Sequence, residues 1–284
     1  MTWQAEEATD PHVLPLRMEY GGAAWEQWFL LLSDVHWDNP HCDRAMLSRL
    51  LRQANERNAG ILSFGDWFDA MGGKYDPRMV KDGVRPEHQQ GNYLDVLVDD
   101  SAAYLEPYRQ NLVMLADGNH ETAIRKRLET DLTQRLAQLL GVRAMGYTGY
   151  VQFRFSNQGN KGGRSTTVLY YTHGDGGGGP VTRGVISTNR RAVSYPDANI
   201  VVSGHIHESW IVSVPRHRIT QRGTRYIDEQ VHVQLSTLKQ EATLGSGYHM
   251  EKGRGPKPLG GAWLRFYWDR NVQGRIDFEV TRAK

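Results

Sequence analysis

The chain has 284 residues, 39% of them hydrophobic and 23% charged, a balance that suits a globular protein with a sizeable core and excludes a disordered or fibrous one. Lys and Arg exceed Asp and Glu by only two, 34 against 32, so the sequence pI near 8.6 hints at polyanionic partners without establishing nucleic-acid binding. A single cysteine, Cys42, excludes an internal disulfide, and with neither a basic-then-apolar leader nor an apolar stretch of membrane-spanning length, a cytoplasmic protein with no membrane partner is expected.

Residues 1–24 are polar and irregular and read as an N-terminal arm, ahead of one domain over 25–284. From Trp25 the run "WEQWFLLLS" predicts a buried strand that stops at the loop "DVHWDNP". "CDRAMLSRLLRQANERN" predicts a helix capped by Asp43, with Met46, Leu47, Leu50 and Leu51 on one face. "GILSFGD" and "NLVMLADGNHE" repeat the plan of apolar strand into polar loop, which argues for α/β organisation with loops gathered at the carboxyl edge of a sheet. The polar segment 71–93 reads as an insertion over that edge, and "LDVLVDDSAAYLEPY" and "DLTQRLAQLLG" read as helices. Beyond them the runs "GYVQFRF", "TTVLYYTHGD", "ANIVVSGHIH", "WIVSVP", "TRYIDEQVHVQLS" and "GAWLRFYW" make the second half mostly sheet. Two short glycine-rich stretches, "HGDGGGGP" and "MEKGRGPKPLGG", read as loops rather than linkers.

Five of these strand ends carry oxygen or imidazole donors: Asp34 and His36 in "SDVHWD", Asp66 and Asp69 in "GDWFD", Asn119 and His120 in "GNHE", His173 in "YTHGD", and His205 and His207 in "GHIH". An Asp-x-His triplet is expected about once by chance in such a chain, whereas Gly-His-x-His is expected roughly 0.05 times. A lone histidine beside a strand is usually a satisfied core or surface residue, but five segments each placed at a strand end are a different matter. Borderline ions such as Mn²⁺, Fe²⁺ and Zn²⁺ accept both imidazole and carboxylate, while Ca²⁺ and Mg²⁺ prefer oxygen alone and structural Zn²⁺ prefers thiolate. Seven donors exceed one ion's needs and suit two that share a carboxylate.

The ordered set Asp-x-His, Gly-Asp-x-x-Asp, Gly-Asn-His-Glu, His and Gly-His-x-His resembles the calcineurin-like metallophosphoesterase superfamily, in particular its bacterial and phage-encoded members. The resemblance runs from residue 34 to residue 207. It implies a four-layer α/β/β/α sandwich of two mixed sheets flanked by helices, with a dinuclear centre between the sheets. Asp34, His36 and His207 would then hold one ion, Asn119, His173 and His205 the other, and Asp66 would bridge them. Two divalent ions are implied, Mn²⁺ first, with Fe, Zn or Ni as the other candidates. His120 would protonate the leaving oxygen or stabilise the transition state, with a hydroxide supplied by the metals as nucleophile. Asp69 would orient His120 or a ligand, or else serve as a helix N-terminal carboxylate. Asp38, standing where the family commonly has glycine, would add a water-mediated contact or cap the following loop.

The same resemblance leaves the phosphoester open. "GDWFDA" and "ADGNHE" lack the arginine-bearing signatures of the serine/threonine phosphatases, and Ala70 stands where a purple acid phosphatase would carry tyrosine. Arg125, Lys126 and Arg127, then Arg183, Arg190 and Arg191, then Arg216, Arg218, Arg222 and Arg225 either line the mouth to grip a phosphate backbone or form solvated faces offset by the acidic stretch 95–106. Trp37 and Trp67, beside expected ligands, either stack on a base or pack beside the site. The four-glycine loop reads as a mobile lip more than a phosphate cradle. The expectation is a phosphodiesterase, with a DNA or RNA nuclease as its leading form. A phosphomonoesterase or small nucleotide phosphodiesterase is the alternative, and a non-catalytic nucleic-acid or protein binding module on the same fold is the rival from another class. The expected partner is the phosphoester substrate, with nucleic acid as its main candidate, and a homodimer stays open.

Overall fold

Leu14, Leu16, Met18 and Tyr20 alternate with Pro15, Arg17 and Glu19, and this period of two makes Val13–Tyr20 a strand, β2, whose apolar side faces the core. The finding corrects the reading of residues 1–24 as an arm. In the computed structural model, which describes residues 3–70, 83–157, 160–177, 179, 181–240, 255–272 and 276–284, β1 (Trp3–Ala5) pairs antiparallel with β2. β2 in turn lies parallel to β7 (Thr148–Asn157) inside a sheet, from Val13 opposite Tyr150 to Tyr20 opposite Asn157. Two charged side chains and a proline in eight residues hid the alternation from a reading by composition.

Two mixed sheets pack face to face. One has the order β13 (Ile276–Ala283), β12 (Gly261–Trp268), β3 (Glu26–Leu32), β4 (Gly60–Ser63), β5 (Leu112–Ala116) and β6 (Arg143–Met145), with β3 through β6 parallel. The other runs β1, β2, β7, β8 (Asn160–Thr172), β9 (Ile200–Ser203), β11 (Arg225–Gln234) and β10 (Trp210–Ile219). Phe29, Leu31, Leu62 and Met114 of the first sheet meet Leu16, Phe153, Leu169 and Val202 of the second in a shared core. Phe29 and Phe153 touch edge to face at 5.0 Å between ring centres.

Helices α1 (Arg44–Glu56), α2 (Tyr93–Leu105) and α4 (Leu132–Leu140) cover the outer face of the six-stranded sheet, burying Leu47, Leu50, Leu51, Leu97 and Leu136 against Leu30 and Ile61. α3 (Asn119–Leu128) begins directly after β5. The fourth layer is thin: over the seven-stranded sheet the described residues place one eight-residue helix, α5 (Ser187–Ser194), and a small cluster around Tyr170, Ala198 and Val201. Of the segment 71–93, residues 71–82 lie outside the described residues. Its remainder is bolted to the β3–α1 connection by Arg85, which donates to the carbonyls of Asn39 and Cys42.

As expected from the sequence, the Asp43 carboxylate caps α1, accepting from the Met46 amide at 2.9 Å. Asp43→Ala should cost about 1 kcal/mol in urea unfolding; a change below a few tenths would mean that water caps the helix equally well.

Candidate metal centre

The carboxyl ends of β3, β4 and β5 in one sheet and of β8 and β9 in the other open on the same edge of the sandwich, and every expected ligand lies just past one of these five strands. The pairing of β3 with β4 continues beyond the strands. Asp34 N donates to Gly65 O at 3.0 Å, His36 N to Asp66 O at 3.1 Å and Trp37 N to Trp67 O at 2.7 Å. Asp34, His36, Asp66, His205 and His207 all have φ between 51° and 72°, the left-handed region that side chains other than glycine seldom occupy. Five strained residues in one cluster mark a place where the fold over-determines local geometry, as functional sites do. The close approach also requires glycine: a Cβ on Gly204 would lie 2.0 Å from Ser33 Oγ and 2.6 Å from Asp34 Oδ2.

The side chains converge in two groups. Asp34, His36 and His207 offer ligand atoms within 4.8 Å of one another, as do Asp66, His173 and His205, and Asp66 also falls within that distance of His36 and His120. His36 Nε2 faces His207 Nε2 at 3.3 Å, and His207 Nε2 lies 3.3 Å from the buried Asp34 Oδ1. Asn119 Oδ1 stands 2.7 Å from His205 Nδ1 and 3.1 Å from His173 Nε2, whose nitrogen is also 3.1 Å from Asp66 Oδ2.

These donors fit divalent ions. His173 Nδ1 lies 2.9 Å from Phe64 O, so that ring keeps a proton on Nδ1 and turns Nε2 inward, the arrangement by which a second hydrogen bond fixes a metal-binding tautomer, and His36 Nδ1 lies 2.8 Å from the Asp69 carboxylate. Burial by itself would lower the His173 pKa, yet Asp66 and Asp34 raise it to about 10. Burial likewise opposes ionisation of Asp34, and His173 and His207 bring its pKa down to about 2. The carboxylates therefore demand positive charge at this point, which a divalent ion supplies better than a proton on an inward-facing nitrogen.

A buried network holds the centre in place. Asp69 binds His36 and Lys239 Nζ (3.2 Å) through Oδ1, accepts from Asn39 Nδ2 (2.7 Å) through Oδ2, and takes the His120 Nδ1 proton on its backbone oxygen at 2.5 Å. Burial would raise the Asp69 carboxyl, and Lys239 and His36 hold it well below the usual range. Asp38 accepts from the amides of Asp69 (2.6 Å) and Ala70 (2.9 Å) and from Tyr93 Oη (2.6 Å), so it caps the 66–70 loop after β4 rather than the loop that follows it in sequence. Glu121 was not singled out by the sequence, although its place three residues after the Gly118 N-cap was a signal; its carboxylate accepts from Gly118 N, Asp66 N and Phe68 N. Lys239 gave no signal, since it lies 170 residues from Asp69.

Three of the expected substrate contacts are not brought to the centre. Trp37 and Trp67 are buried; their rings stack at 6.4 Å on the helical side, with Trp37 Nε1 donating to Asp100 and Trp67 Nε1 to Ser101. With His36 and Asp66 facing inward, the indoles of the next residues turn the other way, into the helix layer beside Tyr104 and Ser101. Arg125 is gripped bidentately by Asp117 at 2.8 and 2.9 Å and by Asp131 at 2.7 Å, which raises its pKa further and leaves it structural. Arg183 is exposed in the turn before α5, where its carbonyl accepts from Trp210 Nε1 at 2.9 Å.

Neither a family model nor a curated protein matches the chain. Among solved structures it is similar to Vacuolar Protein Sorting 29 from Cryptosporidium parvum, with 13% identity, 92% of this chain and 100% of that chain covered, and a TM-score of 0.39. It is also similar to a predicted phosphoesterase from Streptococcus pneumoniae (11% identity, 91% and 100% covered, TM-score 0.34) and to GAP50 of Plasmodium (9% identity, 91% and 89% covered, TM-score 0.42). Such remote likenesses say nothing of activity, which rests on this chain's own residues. Among the described residues no helix is long and apolar enough to cross a membrane.

Proposed function

We propose that the protein is a metal-dependent phosphoesterase that hydrolyses phosphodiester bonds, with two divalent ions held by the Asp34–His36–His207 and Asp66–Asn119–His173–His205 groups and nucleic acid as the leading substrate. The observation that carries this reading is the convergence of seven buried or half-buried donors, with the His173 ring held from behind by Phe64 O and the His36 ring beside the Asp69 carboxylate. Bound there, divalent ions would lower the pKa of a water and offset charge on the phosphoryl oxygens. The chain itself supplies the proton. With Nδ1 tied to Asp69 O, the His120 ring presents Nε2 toward the centre, 3.7 Å from Asp66 Oδ2. Burial lowers its pKa, but Asp66 and Asp69 outweigh burial and raise it, which favours a ring that can donate a proton to a departing alkoxide.

The test is hydrolysis, with Mn²⁺, of bis-p-nitrophenyl phosphate, p-nitrophenyl phosphate and labelled single- and double-stranded DNA, with His120→Ala alongside. His120→Ala should lower kcat by about 10²- to 10⁴-fold with metal content unchanged. Release of nucleotides from DNA supports a nuclease, and turnover of the small diester alone moves the substrate to a nucleotide. Preference for the monoester would overturn the diester assignment, and no turnover by metal-loaded protein would overturn the enzymatic reading in favour of a binding module.

A further inference from the structure

Next to His205 the chain opens a pocket of about 220 Å³. Gly204 and Ile206, which flank His205, line it together with Gly174 and Asp175, which follow His173, and with Arg190 and Arg191 of α5. It therefore adjoins the second ligand group. Its volume falls below the 300–1,000 Å³ that usually enclose a whole organic ligand, yet it is several times the ~30 Å³ share of one water. A phosphate with part of its sugar matches that size.

Arg191 sets the chemistry. Arg125, Arg216 and Arg265 are each bound through at least two guanidinium nitrogens to carboxylates at 2.7–3.0 Å. Arg191 differs: its side chain is only 11% exposed, but its carboxylate contact is a 3.3 Å bond to Asp175, whose side chain is 90% exposed on the glycine loop. A nearly buried guanidinium with one solvated counter-charge has donors left for a second anion, and its planar fork matches phosphate oxygens. Its Nη1 donates to Ser203 Oγ at 2.8 Å, Ser203 Oγ donates to Gln234 Oε1 at 2.8 Å, and Gln234 Nε2 donates to Gly204 O at 2.6 Å. The guanidinium is thus held in register with the loop that carries His205 and His207.

We infer that this pocket receives a second phosphate group of the substrate, adjacent to the phosphoester held at the metal centre, with Arg191 as its main recognition residue and Arg190 as a supporting charge. The inference rests on the phosphoesterase reading above and narrows it to substrates with neighbouring phosphates. Both a nucleic-acid strand and a pyrophosphate-bearing nucleotide have that chemistry.

Two measurements test it. In the first, kcat/KM with Mn²⁺ is compared for thymidine 5′-(p-nitrophenyl phosphate) with and without a 3′-phosphate, and for the corresponding p-nitrophenyl diphosphate ester. The wild type should favour one phosphate-extended substrate by about tenfold or more, and Arg191→Met should bring that ratio to within about twofold, with Arg191→Lys between them. Preference for the 3′-phosphate points to a strand, and preference for the diphosphate to a nucleotide pyrophosphate. No preference in the wild type, or one that survives Arg191→Met, overturns the inference while leaving the phosphoesterase reading intact. The second measurement titrates chelator-treated protein with inorganic phosphate by calorimetry, where binding should be seen in wild type and lost in both Arg191→Met and Arg190→Met/Arg191→Met. Binding without turnover of any ester would uphold the pocket and sink the enzymatic reading, and absence of binding in the wild type counts against the pocket. Thermal unfolding of each variant separates loss of recognition from loss of fold.

Discussion

Asp66→Asn should lose turnover by about 10³-fold or more and retain at most one of two bound Mn²⁺ equivalents, while still unfolding cooperatively. Asp66 is the donor shared between groups. Its Oδ2 lies 3.1 Å from His173 Nε2 and 3.7 Å from His120 Nε2, and its ligand atoms reach both His36 and His205 within 4.8 Å. The amide variant isolates charge from shape. Asp66 Oδ1 accepts the His120 amide at 3.0 Å and so pins the first turn of α3, and Asn keeps that acceptor. Asp66→Ala would forfeit it and add about 1–2 kcal/mol of instability to the same loss of activity. Space is tight here, since a Cβ on Gly118 would fall 2.0 Å from Asp66 Oδ1. His207→Ala, which removes a donor of the Asp34 group, should likewise abolish turnover in a folded protein. Inductively coupled plasma analysis after desalting gives the metal count, and wild-type rates in Asp66→Asn would end the two-ion assignment.

What could be read in advance follows from where the information is written. The ligand loops were legible because each lies within a few residues of a short apolar strand, and "GHIH" is improbable by chance. The direction of side chains was not. Trp37 and Trp67 lie next to candidate ligands in sequence, but the left-handed turns at His36 and Asp66 leave no period of two to read there, and only the pairing that continues β3 and β4 past their ends shows which way each side chain goes. Arg125 looked available because Asp117 and Asp131, its partners, sit in different elements. β2 was missed because Pro15, Arg17 and Glu19 dilute an alternation that is plain once its register with β7 is known. Lys239 and Gln234 act on loops 170 and 30 residues away, and no local pattern encodes such contacts.

Glu121→Ala should destabilise the fold by about 3–5 kcal/mol, the largest stability effect expected of a residue outside the hydrophobic cores. Its carboxylate is buried and accepts three backbone amides, Gly118 N at 2.8 Å and Asp66 N at 3.1 Å through Oε2 and Phe68 N at 2.9 Å through Oε1. Burial and the Asp66 carboxylate push its pKa up to about 8, against the pull of those donors. Each amide left without an acceptor costs about 1–3 kcal/mol unless water enters. Glu121→Gln separates the two oxygens: its single carbonyl can serve either the Gly118 and Asp66 amides or the Phe68 amide, while its NH₂ group confronts the other side, so it should fall between wild type and alanine. Because Phe68 precedes Asp69, whose carbonyl holds His120, and Asp66 is itself a proposed ligand, the same change should loosen metal binding as well as the fold. Urea unfolding of chelator-treated protein reads the first effect alone. If Glu121→Ala stays within about 1 kcal/mol of wild type there, yet still loses metal, the 66–70 loop is held by the strand pairing and Asp38, and Glu121 serves to place the ligands rather than to keep the chain folded.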